Sequence, residues 1–167
     1  MIITLDDKLV QLVSKWWTDS TIITLDAGVY SDGRLFVMTP HVGVFIRSHP
    51  FDAEKLLKER SGILTPEMIQ RFIPPDGLQA GHILQPTGAL RTWGCGMVRE
   101  YQDVKGAKVY IDEKLCKQLM PLKAMNVAVY VREPRADCRL AYFVDVSITE
   151  LYAVCATVRY EEVIDNG

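Results

Sequence analysis

Residues 2–13 read IITLDDKLVQLV, and residues 108–119 read KVYIDEKLCKQL. In one fixed register Leu5 falls on Ile111, Asp6 on Asp112, Asp7 on Glu113, Lys8 on Lys114, Leu9 on Leu115 and Val13 on Leu119. Each stretch is a short β-prone run, an acidic pair, and then apolar residues at helical spacing. The segments downstream of the two stretches also match in kind. TIITL (residues 21–25), GRLFVM (33–38) and VGVFI (42–46) come after the first. VAVYV (127–131), RLAYFV (139–144) and LYAVCATV (151–158) come after the second. An internal repeat constrains the fold more than any composition figure, because the same supersecondary unit must then bury the same faces twice.

The repeat predicts an α+β fold: two β-α-β-β-β units forming a sheet with two helices on one face. In this reading the 167 residues form a single domain. Residues 1–50 are the first unit, 51–106 an inserted connection, 107–160 the second unit and 161–167 an acidic tail. In the first unit residues 2–5 are expected as a strand, with Asp6 as N-cap and Asp7 in the first turn, where the helix dipole favours a carboxylate. Leu9, Leu12, Val13 and Trp16 then repeat at i, i+3, i+4 and i+7, the stripe of a helix packed on a sheet. Lys8, Gln11 and Lys15 fall on its other face. In the second unit Asp112 is the expected cap, Leu115, Cys116, Leu119 and Leu122 face inward, and Lys114, Lys117 and Lys123 face out. Pro121 ends or kinks that helix.

The intervening segment holds four of the eight prolines. Residues 52–60 read as a short charged helix. Thr65-Pro66-Glu67 reads as a helix start, with threonine as cap and proline at the first helical position. Pro74-Pro75 stops that helix, Asp76-Gly77 is a turn, and residues 78–84 and 89–104 have β character. The break in the repeat places this segment outside the duplicated core, at one edge.

A chain of this size buries about 70% of its unfolded surface and needs no staples. Its formal net charge is −2, so it has no global basic field for nucleic acid or anionic membrane, and any such binding must come from a local patch. The four cysteines, Cys95, Cys116, Cys138 and Cys155, form no CxxC pair. No apolar run approaches the length of a membrane span, and no signal peptide is evident. The expectation is a soluble, cytoplasmic protein without a membrane partner.

Two β-α-β-β-β units resemble one domain of the DNA sliding clamps, the ring-shaped processivity factors of DNA polymerases. The likeness rests on VYIDEKLCKQLMPLKAMNVAVYV and LYAVCATVRY in the second unit and SDGRLFVM in the first. It covers residues 1–50 and 107–160. Clamp halves are joined by a short connection, whereas residues 51–106 intervene here. A ring needs several such domains and this chain supplies one, so the resemblance implies a homo-oligomer. It also implies outward helix lysines, here Lys8, Lys15, Lys114, Lys117 and Lys123, facing duplex DNA without reading its sequence, and a polymerase or other protein as partner. The ordinary alternative is that lysines on an exposed helix face only keep it solvated.

A second function is a protein–protein interaction module, such as a phage- or mobile-element-type inhibitor, on the same fold. Trp17, which lies off the apolar stripe, and Pro74 and Pro75 in the proline-rich stretch would then form its surface. A small enzyme with an unrecognised site is the third. His41, His49 and His82 lack metal-ligand spacing. His41 with Cys95 is a conceivable nucleophilic pair, but Gly-Cys-Gly supplies no helix N-terminus to activate the thiol. Residues 88–96 match neither the P-loop nor the dinucleotide fingerprint. No catalytic residue, metal or cofactor is therefore expected.

Overall fold

The computed structural model describes residues 2–19, 21–22, 24–47, 61–74, 77–123, 125–135 and 138–159, with the backbone alone at 61, 134 and 135. The fold is α+β, and the chain divides into two compact units, residues 1–77 and 78–167. The connection expected between the repeats is thus shared out between the two units.

In the first unit helix α1 (Leu5–Thr18) is followed by strands β1 (Leu25–Val29), β2 (Leu35–Met38), β3 (Val42–Ile46) and β4 (Ser61–Ile63), and by the short helix α2 (Pro66–Gln70). The strand order is β4-β1-β2-β3. β1, β2 and β3 run antiparallel in sequence, and β4 joins β1 in parallel. Leu9, Leu12, Val13 and Trp16 are the buried stripe of α1, as their spacing predicts, and α1 packs on β3. Phe36 and Phe45 are cross-strand partners with ring centroids 4.7 Å apart, and Phe72 stacks on Phe36 at 5.6 Å. Alternation then sends Leu35, Val37, Val44 and Ile46 to the other face of the sheet, and these are buried too.

Two local expectations are corrected here. Residues 2–4 form no strand, and Leu5 is already helical. The cap is Thr4 and not Asp6: its hydroxyl accepts from the Asp7 N–H at 3.1 Å, while its own N–H donates to the Asp7 carboxylate at 2.9 Å. This reciprocal box satisfies two otherwise orphaned donors and holds the Asp7 carboxyl below its ordinary range. Asp6, drawn inside the helix, accepts instead from the Arg47 N–H at 2.7 Å and ties the helix start to the end of β3. The expected helix at residues 52–60 lies outside the described residues. Thr65 caps α2 and Pro66 opens it, as read from the sequence.

The second unit begins with a 3-10 turn (Ala80–His82) and contains β5 (Ile83–Trp93), β6 (Gly96–Gln102), β7 (Lys108–Asp112), helix α3 (Glu113–Leu119), β8 (Val127–Arg135), β9 (Cys138–Asp145) and β10 (Glu150–Ala156). The order is β10-β9-β8-β5-β6-β7, antiparallel throughout. β5 changes partner along its length: Ile83 and Leu84 pair with β8, and residues from Gln85 onward pair with β6. Just past β10, the Val158 N–H donates to the Tyr110 carbonyl of β7 at 2.8 Å, which brings the two ends of the sheet together. The six strands thus form a curled antiparallel sheet whose two ends meet at this one bridge.

The placement of β5 and β6 overturns the expectation that residues 51–106 stand outside the core. Both strands lie between β8 and β7 and are integral to the sheet. The two helices belong to different units: α1 packs on β3, α3 on β6 and β7. Asp112 caps α3 by accepting from the Lys114 N–H at 2.8 Å. The repeated acidic pair therefore serves two geometries. Position 4 carries a threonine able to cap and position 110 a tyrosine buried in β7, so the cap moves two residues down the chain in the second copy.

Candidate functional site

The helix lysines do not form one uniform surface. Lys8 is half-buried, whereas Lys15, Lys114 and Lys117 are exposed. Lys114 and Lys117 are three residues apart on α3 and share a face. Lys123 is exposed but off the helix, because α3 ends at Leu119 ahead of Pro121. Of the residues expected to meet a protein partner, Trp17 is half-buried and Pro74 is buried, which removes Pro74 from any contact surface. Pro75 lies outside the described residues.

α3 is fixed on the sheet from both ends. At its start, Arg99 of β6 donates two hydrogen bonds to Glu113, at 2.7 and 2.9 Å. At its end, the Tyr152 hydroxyl donates to the Leu119 carbonyl at 2.7 Å. Between them Cys116 is fully buried, and burial pushes its thiol up to about 11. Burial likewise raises the Cys155 thiol. Neither thiol is a poised nucleophile, because the thiolate is the reactive form. His41 belongs to the first unit and Cys95 to the second. His49 lies outside the described residues.

Glu100 is a buried carboxylate at the centre of the β5–β6–β7 layer, 4% exposed. It accepts from the Thr87 hydroxyl at 2.8 Å and the Tyr110 hydroxyl at 3.0 Å, with Arg91 at 3.4 Å and Lys108 at 3.7 Å. The Thr87 bond leads in holding it below the usual carboxylate range. With its oxygens engaged, this group locks three strands together and is not set up to move a proton.

A cleft of about 330 Å³ opens in the second unit. His82 before β5, Asp103 after β6, Val109 of β7, Arg132 and Glu133 of β8 and Arg139 of β9 line it. Arg139 Nε donates to Glu133 Oε1 at 2.5 Å, and its Nη1 to the Lys108 carbonyl at 3.5 Å. Asp103 Oδ1 accepts from the backbone N–H groups of Lys105 and Ala107, each at 2.9 Å. His82 Nδ1 is buried without a hydrogen-bond partner. In the sequence His82 stands out only as a conceivable metal ligand, and neither Arg132 nor Arg139 belongs to a local motif. Their signal is their position on two antiparallel partner strands, β8 and β9, legible only once that pairing is known.

Among the described residues no three His, Cys, Asp or Glu side chains stand together as a metal site. Nor is any helix among them long and apolar enough to cross a membrane. Comparison of the chain with protein-family models, curated proteins and solved structures finds no match.

Proposed function

We propose that the protein is a non-enzymatic, sliding-clamp-like DNA-associating protein that holds duplex DNA through helix lysines in an assembly of several chains. One observation carries the reading. The same element order occurs twice, α1 followed by antiparallel β1–β2–β3 and α3 followed by antiparallel β8–β9–β10, and each helix puts lysine to solvent. Lys15, Lys114 and Lys117 are the contacting residues in this reading, and Lys8 contributes less because it is half-buried. An ammonium acts as a point charge on phosphate, so the association is independent of sequence and falls with salt. The net charge of −2 leaves no long-range attraction to DNA, so retention depends on enclosure as much as on contact.

The test is retention of duplex DNA at two salt concentrations, comparing the wild type with the K114E/K117E double variant. The variant is expected to retain DNA less well, equally for all sequences and with a flatter salt dependence. Its stability is expected to stay within about 0.5 kcal/mol, since both positions are exposed. No association of the wild type at low salt, with a polymerase and a loader supplied, overturns the reading.

A protein–protein interaction module on the same fold is the second reading, favoured by the β5–β6 hairpin. Leu90 and Met97, on one face of its two strands, are 47% and 43% exposed. Solution mass separates the two readings: a clamp-like protein assembles into a closed ring, an inhibitor stays a monomer or dimer.

A further inference from the structure

We propose that the open edge of β5 at residues 90–92 pairs with the same edge of a second copy of this chain, joining two sheets across a two-fold axis. On one side β5 follows β6 as far as Trp93. On the other, among the described residues, it pairs with β8 at Ile83 and Leu84 and with no strand beyond them. Gly94, at φ +58°, and Cys95 form a two-residue turn between the paired Trp93 and Gly96. Trp93 and Arg91 therefore take the hydrogen-bonded positions of the β5–β6 ladder, which alternate along a strand. Leu90 and Thr92 turn their N–H and C=O groups away from β6, and both residues are exposed.

An open edge is a template for a further strand, and proteins usually blunt it with a bulge, a proline or a charge. The irregularity of β5 falls earlier, between Pro86 and Leu90, where Gly88 stands at φ +86°. Residues 90–93 remain in regular register with β6. Charge complementarity then selects the occupant and its register. With Arg91 opposite the partner's Arg91, like charges would face each other directly, which is destabilising. With Thr92 opposite the partner's Thr92, each Arg91 instead faces the partner's Trp93. The two threonines exchange both N–H···O bonds, and the Arg91–Trp93 pairs fall at positions where Cα atoms approach to about 4.5 Å. There the flat face of the guanidinium stacks on the indole ring. Arg91 reaches Glu100 through Nε and Nη2, in the plane of the group, so that contact and the stack coexist. Arg91 is exposed and Trp93 half-buried, which leaves both accessible. In a two-fold contact each copy supplies the cation for one stack and the ring for the other. The overlap is confined to the turn end of the hairpin, clear of β8 at Leu84.

The experiment is sedimentation equilibrium of the full chain over a range of concentrations. The wild type is expected to reach the mass of an even number of chains. T92P is expected to halve that mass, because proline removes an N–H that the chain's own ladder does not use. R91Q is expected to weaken association about tenfold, the scale of two cation–π contacts. Cross-linking tests the register separately and decides the matter where proline disturbs folding. T92C/C95S is expected to give a disulfide-linked dimer under mild oxidation, since residues opposite each other at this position have Cα atoms about 5.5 Å apart. Q85C/C95S, exposed but outside the overlap, is expected to give none. The contact holds under either reading of the function. A closed ring needs one further contact elsewhere, so loss of pairing and loss of DNA retention are separate results. Equal masses for the wild type and a folded T92P overturn the proposal. So does the absence of a cross-link at Thr92, or one that forms as readily at Gln85.

Discussion

Arg99 of β6 forks onto Glu113 in the first turn of α3, Nε to Oε2 at 2.7 Å and Nη2 to Oε1 at 2.9 Å. The two parallel bonds fix the angle at which the helix leaves β7, and a carboxylate at a helix start is favoured by the helix dipole as well. The Arg99 guanidinium holds the Glu113 carboxyl below its ordinary value of 4.5.

That direction sets the pH dependence. A carboxyl whose folded value is depressed stabilises the fold fully above its unfolded value and loses that contribution as pH falls through the folded one. A double-mutant cycle with R99Q and E113Q is therefore expected to give a coupling of about 1 kcal/mol at neutral pH, modest because the pair is partly solvated. The coupling should disappear as pH is lowered beneath 4.5. Urea unfolding of the four proteins at both pH values checks this. A coupling that persists at low pH excludes the charge on Glu113 as its source.

Tyr152→Phe removes the hydroxyl that donates to the Leu119 carbonyl and leaves that buried carbonyl without its donor. The expected cost is about 1–3 kcal/mol, read as a lowered denaturation midpoint. Faster amide exchange in α3, with the β1–β3 amides unchanged, is expected alongside, since the bond anchors the C-terminus of that helix alone.

Gly28→Ala tests the close approach in the first unit. A Cβ on Gly28 would stand 2.0 Å from the Leu64 carbonyl oxygen, a backbone atom that cannot swing away. Overpacking of this kind is expected to cost about 3 kcal/mol. Gly33→Ala, at φ +88° with nothing within 4 Å, carries only the left-handed backbone penalty of about 1 kcal/mol. Thermal unfolding of the two variants gives the ranking, and equal losses would show that β4 and its flank yield readily.

Local features were legible in the order of the residues. The stripe Leu9, Leu12, Val13, Trp16 specified α1 and its buried face, because helical periodicity records which side meets apolar surroundings. Thr65-Pro66 marked the start of α2 and Pro121 the limit of α3, since both signals act within a few residues. The apolar runs at 42–46, 127–131 and 139–144 became β3, β8 and β9 for the same reason.

Partner choice was decided by the tertiary structure. Residues 83–102 look like an interruption of a repeat, yet they pair between β8 and β7 and join the sheet. Strand alternation encodes a buried face but carries no record of the neighbouring strand. The difference between Thr4 and Tyr110 moved the cap between two otherwise matching acidic pairs. The cleft was equally hidden. His82, Asp103, Arg132 and Arg139 lie on separate elements, and only the pairing and curl of the sheet bring them around one space.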